Sequence, residues 1–189
     1  MATMLEREIK LRFGSAQDAR EALLAIGATA LRERRLQEDA LLDSEREDLR
    51  QRRSVLRLRR EGPLNYLTFK GPVQPGAMKI REELETAVAD ASVLQRVLEH
   101  LDLHVWFRYQ KYREEYALDG VVAAVDETPI GTFVELEGTE AGITAAASAL
   151  GRTMADYILD SYYGLFMRYR EALGFRGVHM IFDEPDRIT

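Results

Sequence analysis

Charged and apolar side chains alternate along much of this chain, and that period of two predicts β-strands. In Leu5-Glu6-Arg7-Glu8-Ile9-Lys10-Leu11-Arg12-Phe13, Glu6, Glu8, Lys10 and Arg12 share one face, and Leu5, Ile9, Leu11 and Phe13 share the other. The same two-faced pattern returns four more times. Arg57 and Arg59 stand opposite Leu56 and Leu58; Lys70 and Thr68 alternate with Leu67 and Phe69; Arg81, Glu83 and Glu85 stand opposite Ile80 and Leu84; and Glu135 and Glu137 share a face in residues 132–137. Residues 104–116 form an aromatic-rich strand, or a bent pair, with Lys111, Arg113 and Glu115 on one side. Turn signals separate these runs: Gly62-Pro63, Gly71-Pro72, Asp119-Gly120 ahead of the strand that ends at Asp126, and Thr128-Pro129.

Between the strands the apolar period lengthens to that of a helix. Ser15 heads a run with Ala19, Ala22, Leu23 and Ile26 that stops at Gly27, and Asp90 or Ser92 heads Leu94, Val97, Leu98 and Leu101. Thr139 opens a helix that stops at Gly151, and Ser161 opens one carrying Tyr162, Leu165, Phe166, Tyr169 and Leu173. Residues 28–43 read as an irregular strand and residues 45–53 as a charged turn or solvated helical stretch.

Each helix must bury its apolar stripe, and each strand offers one apolar face. If the helices cover the sheet from outside, the charged faces turn inward, and closing about eight strands encloses them in a tunnel. The expected fold class is therefore α+β: an eight-stranded antiparallel β-barrel with helices packed outside. The competing arrangement pairs the charges across strands on a solvated sheet. No repeat or composition break divides the chain, so a single domain is expected over residues 1–175. Residues 176–189, with Asp183-Glu184-Pro185-Asp186, form a peripheral tail.

Composition narrows the chemistry. The chain has 189 residues, 31% of them charged, with a net charge of −6, which disfavours nucleic-acid backbone and anionic membrane as general partners. With no cysteine, disulfides, thiolate metal sites and Cys nucleophiles are excluded. His100, His104 and His179 lack metal-ligand spacing, and no Gly-rich phosphate loop of the Walker type is present. Nothing resembles a signal peptide or a bilayer span, so a cytoplasmic protein is the expectation. Carboxylate pairs mixed with lysines and arginines suit a polyphosphate bridged by Mg²⁺ or Mn²⁺, the bases taking phosphate oxygens and the acids taking metal.

In order, Glu6-x-Glu8-x-Lys10, Arg57-x-Arg59, Lys70, Arg81-x-Glu83-x-Glu85, Lys111-x-Arg113, Asp126 and Glu135-x-Glu137 resemble the signature of the CYTH or triphosphate tunnel metalloenzyme superfamily. That superfamily includes class IV adenylyl cyclases, thiamine triphosphatases and tripolyphosphatases. The resemblance implies metal ligation by Glu6, Glu8, Asp126, Glu135 and Glu137, and a triphosphate grip by Lys10, Arg57, Arg59, Lys70, Arg81, Lys111 and Arg113. Glu6, Glu8, Lys70 and Glu83 are the catalytic candidates, and Glu85 occupies a matching position whose role is open. Where some family tripolyphosphatases place a tyrosine beside the lysine matching Lys70, this chain reads Ala40-Leu41-Leu42. The implied activity is metal-dependent hydrolysis of a phosphoanhydride in a small-molecule triphosphate: inorganic tripolyphosphate, thiamine triphosphate or a nucleoside triphosphate. Conversion of ATP to cyclic AMP and pyrophosphate is the alternative, and a non-catalytic polyphosphate- or nucleotide-binding module is a further one. A homodimer is one option for assembly.

Overall fold

The computed structural model describes residues 5–182. Eight strands close into an antiparallel barrel in the order β1-β5-β4-β3-β2-β6-β7-β8. These are β1 (Leu5–Phe13), β2 (Thr29–Asp43), β3 (Val55–Glu61), β4 (Leu64–Lys70), β5 (Lys79–Ala87), β6 (His104–Leu118), β7 (Val121–Thr128) and β8 (Gly131–Gly138). The helices are α1 (Ala16–Ala25), α2 (Asp48–Gln51), α3 (Ala91–Glu99), α4 (Glu140–Ala149) and α5 (Tyr162–Tyr169).

Local signals account for the boundaries. Ser15, Asp90, Thr139 and Ser161 each accept a backbone N–H at the start of α1, α3, α4 and α5, which satisfies donors the helix leaves unpaired. Gly27, at φ +88°, reverses the chain after α1 where a side chain would be strained. Asp119 and Gly120 both adopt positive φ, as a tight hairpin between β6 and β7 requires. The irregularity of residues 28–43 resolves into one long strand whose register against β6 shifts at Ala30/Arg32, Arg32/Arg35 and Leu41/Leu42.

The outer apolar layer is where the alternation placed it. Ile9, Leu11, Ala123, Val125, Val134 and Leu136 pack with Ala19 and Leu23 of α1 and Ile143, Ala146 and Ala147 of α4. Leu42 and Leu58 pack with Ala91 and Leu98 of α3. At about 25 cal/mol per Å² of apolar surface, this burial drives the barrel to wrap its greasy side outward onto the helices. Leu84 is an exception: it is 52% exposed, because β1 pairs with β5 only as far as Glu82 and no helix covers the overhang.

One helix takes a different place from the rest. Tyr162, Leu165 and Phe166 of α5 pack on Leu41, Phe107, Tyr109 and Phe133, which share strand parity with the tunnel residues Asp39, Lys111 and Glu135. So α5 is seated against the inward face near one end of the barrel. Of the segment expected to be a peripheral tail, residues 183–189 lie outside the described residues. Met180 is fully buried in the α5 cluster, and its N–H and C=O pair with Arg108 and Gln110 of β6. The first half of β6 has no β7 partner, since β7 pairs only from Tyr112 onward, and this segment takes that edge.

Antiparallel order also gives the tunnel two unlike ends. The starts of β3, β5, β6 and β8 lie at one end, with the α2 connection, the loop 71–78 and α5; the starts of β1 and β7 and the ends of β5 and β8 lie at the other.

Candidate active site

Alternation aims one face of every strand into the lumen, and there the charged residues meet. The cavity has a volume of about 630 Å³ and is lined by Glu6, Glu8, Lys10, Arg57, Arg59, Lys70, Lys79, Arg81, Glu83, Glu85, Lys111, Arg113, Glu135 and Glu137. Every residue proposed from sequence thus lies on its wall except Asp126, which is fully buried just behind it. Two participants were not anticipated. Lys79 lies at the same parity as Arg81 and Glu83; Asp39 follows two polar residues, Gln37 and Glu38, and precedes three apolar ones, so no alternation marks it.

The charges are paired across strands. Lys70 Nζ lies 2.6 Å from Glu6 Oε1 and 3.0 Å from Glu83 Oε2, and Arg81 Nε donates to Glu6 Oε2 at 3.0 Å. Glu8 accepts from Lys79 at 2.6 Å and Lys10 at 3.2 Å; Lys10 is also 3.2 Å from Glu135. Asp126 takes Lys111 at 2.8 Å, Arg113 through both carboxylate oxygens at 2.7 and 2.6 Å, and the Tyr162 hydroxyl at 2.6 Å. Arg113 also pairs with Glu135. Arg59 binds Asp39 at 2.8 and 3.1 Å, and Arg57 reaches Thr68 at 3.1 Å and Glu85 at 3.3 Å.

Eight bases (Lys10, Arg57, Arg59, Lys70, Lys79, Arg81, Lys111, Arg113) therefore face eight acids (Glu6, Glu8, Asp39, Glu83, Glu85, Asp126, Glu135, Glu137). Buried charges at this density persist only when paired, and the near balance explains how the fold tolerates them. A polyanion entering this lumen competes with the acids for the bases, so cations that travel with it relieve the conflict.

The balance is uneven in space. Burial and Glu8 push the Glu6 carboxyl up, but Lys70 and Arg81 outweigh them and hold it below its ordinary value. Burial likewise opposes ionisation of Glu8 and Glu135; Lys10 and Lys79 hold Glu8 far down, and Lys10, Lys111 and Arg113 do so for Glu135. Glu137 differs. Its side chain is exposed at the mouth of the lumen, yet partial desolvation by the surrounding wall, then Glu6 and Glu83, push it up to about 7, and among the described residues it makes no ion pair. Glu83 is also raised, by burial and by Glu6, against the pull of Lys70. Two lysines are depressed to about 8: Lys79 by burial and Lys10, Lys111 by burial and Arg113.

Among the described residues, no three carboxylate or imidazole groups converge as a ready-made metal cage. The lumen carboxylates are drawn apart onto lysines and arginines instead. The donor set still fits a hard divalent cation: it is all oxygen, and at Glu137 and Glu83, whose carboxyls are raised, the acids outweigh the bases. Asp126, already held by three donors, would join a cation only by giving some of them up.

The CYTH domain family matches residues 4–165. A protein of Methanocaldococcus jannaschii named "Putative adenylate cyclase" is 28% identical over 152 residues, which is 80% of this chain and 86% of that protein. Among solved structures, a "putative adenylate cyclase" from Vibrio parahaemolyticus superposes with a TM-score of 0.75 at 20% identity, covering 88% of this chain and 99% of the other. A Hippeastrum protein, a "Putative adenylyl cyclase" described as having a dominant triphosphatase activity, superposes with a TM-score of 0.63 at 19% identity, covering 87% and 95%. At these identities the two structures establish a shared fold. Among the described residues, no helix is long and apolar enough to cross a membrane.

Proposed function

The chain belongs to the CYTH domain family, whose members are adenylyl cyclases or triphosphatases, and from that premise we propose that it hydrolyses a phosphoanhydride of a triphosphate-bearing small molecule with the help of Mg²⁺ or Mn²⁺. The observation that carries this reading is the lumen itself, in which eight bases converge on one cavity while Glu137 and Glu83 remain under-neutralised. The Hippeastrum relative's triphosphatase activity supports it.

In this reading Lys10, Arg57, Arg59, Lys70, Arg81, Lys111 and Arg113 take the phosphate oxygens, with Lys79 added to the set on its position. Glu6, Glu8, Glu135 and Glu137 would hold the cation, joined by Asp126 if it left its bases. Bound there, the cation supplies charge neutralisation on phosphate oxygens and Lewis-acid activation. A water attacks the terminal phosphorus in line, the phosphoanhydride P–O bond breaks, and the leaving phosphate keeps the bonding pair. Its new charge falls on Lys and Arg that the bound phosphates have already drawn from their acids, so little further reorganisation is needed. Among the catalytic candidates Glu6, Glu8 and Glu83, Glu83 takes the water's proton, because Glu6 and Glu8 are held low by their bases and are weaker bases for it.

Cyclisation of ATP is the second reading, supported by the names of the archaeal and Vibrio relatives. Separating the products of ATP, thiamine triphosphate and tripolyphosphate after incubation with Mg²⁺ or Mn²⁺ decides between them. Orthophosphate without cyclic AMP supports hydrolysis. Cyclic AMP with pyrophosphate overturns it, and binding with no product leaves only a binding module.

A further inference from the structure

The cavity is larger and greasier at one end than a triphosphate needs. Its volume of about 630 Å³ falls within the roughly 300–1,000 Å³ of pockets that enclose organic ligands. The end formed by the α2 connection, the loop 71–78 and the start of α5 contributes Val73, Trp106, Leu159 and Tyr163 to the lining. Val73 and Leu159 stay 42% and 38% exposed although they line a cavity otherwise built of charge.

An aromatic and a cation stand ready at this rim. Tyr163 meets the Trp106 ring edge-on, with ring centres 4.8 Å apart. The Arg50 guanidinium lies over the Trp106 ring at 4.3 Å. Arg50 is tied down by Glu47 at 2.5 Å, yet its buried Nε makes no hydrogen bond, the nearest carboxylate oxygen being Asp43 Oδ2 at 3.6 Å. A planar cation stacked on an indole is a surface on which a flat heterocycle can stack.

Resting on the triphosphate reading of the lumen, we propose that this rim seats the substrate's organic group. An aromatic heterocycle stacks on Trp106 and Arg50, so the site selects ring-bearing triphosphates over inorganic tripolyphosphate. With the ring there, the phosphates run inward past Arg57 and Lys70 toward Glu6 and Glu83. Inorganic tripolyphosphate engages the bases but leaves the apolar rim wet.

Trp106 is the only tryptophan in the chain, so its fluorescence reports on the rim alone. The test titrates the protein with ATP, thiamine triphosphate and tripolyphosphate in Mg²⁺, following fluorescence and calorimetry, and repeats the calorimetry with Trp106→Leu and Trp106→Phe. ATP or thiamine triphosphate is expected to quench the tryptophan, and tripolyphosphate to leave it nearly unchanged. Trp106→Leu is expected to weaken the ring-bearing ligand about 5- to 150-fold, the worth of one stacked base, with tripolyphosphate unaffected and Trp106→Phe in between. Which ligand quenches tells a nucleobase from a thiamine ring. Equal affinity for all three, or an equal loss for all in Trp106→Leu, overturns the rim while leaving the lumen reading intact. Failure of every ligand to bind the unaltered protein overturns both.

Discussion

The Tyr162 hydroxyl donates a hydrogen bond of 2.6 Å to Asp126 Oδ2, tying the first residue of α5 to the most buried carboxylate of the barrel. The same ring lies within 5.3 Å of Lys10 Nζ and 4.9 Å of Lys111 Nζ, so it is a wall of the lumen as well as a fastening. Removing only the hydroxyl, as in Tyr162→Phe, is expected to cost about 1.5–3 kcal/mol, the worth of a hydrogen bond to a charged group. Asp126→Asn strands Lys111 and Arg113 and is expected to cost about 3–5 kcal/mol. Urea unfolding of the two variants checks the order; equal losses would show that Asp126 does not anchor those bases.

Glu137 gives the protein without metal a pH dependence of known sign. Its carboxyl sits at about 7 in the fold against an ordinary 4.5, so the folded state binds that proton more tightly than the unfolded chain does. The resulting stability is fully present below pH 4.5 and is lost as the pH rises through 7. Melting temperatures measured with chelator from pH 5 to 8 are expected to fall less in Glu137→Gln than in the parent protein. Mg²⁺ is expected to stabilise the parent and to do so more weakly in the variant.

Lys79 and Lys111 act at the alkaline end. Both are depressed to about 8, so each gives up its proton in the fold more easily than in the unfolded chain. Between pH 8 and the ordinary 10.5 their contribution to stability rises with pH, while their hold on phosphate is lost. Affinity for tripolyphosphate is expected to fall as pH passes 8, and Lys79→Met is expected to flatten part of that fall. Calorimetric titration from pH 7 to 9.5 measures both.

Met180 fastens the segment after α5 to the open edge of β6 and is fully buried among Phe107, Tyr109 and Phe166. Met180→Ala is expected to destabilise the protein by about 2–5 kcal/mol, the usual cost of emptying a buried methionine site. A chemical-denaturation midpoint unchanged by this substitution would show that the segment contributes nothing to the barrel.

Strands with clean alternation, such as β1 and β8, were legible together with the direction of their charges, because period two leaves only one way to bury the apolar side. Glu6, Glu8, Lys10, Glu135 and Glu137 followed directly. Asp39 did not: its stretch of β2 keeps regular register with β6 from Arg35 to Leu41, but the polar run Gln37-Glu38-Asp39 followed by Ala40-Leu41-Leu42 shows no alternation to mark which carboxylate turns inward. The place of α5 was hidden for another reason. Its stripe of Tyr162, Leu165 and Phe166 looks like that of any outer helix, and only Phe107, Tyr109 and Phe133 at inward parity mark an apolar patch inside the barrel. Met180 carried no signal at all, lying in a short segment with no periodicity.

Hydrolysis inside the lumen is tested most directly by the fate of oxygen from water. The protein is supplied with ATP and Mg²⁺ in water enriched in ¹⁸O, and the products are read by phosphorus NMR, with Glu83→Gln alongside. Water attack on the terminal phosphorus puts one ¹⁸O into orthophosphate and none into ADP, with turnover lowered about 10²- to 10⁴-fold in Glu83→Gln, the range of a general base. Cyclic AMP and unlabelled pyrophosphate would contradict the account.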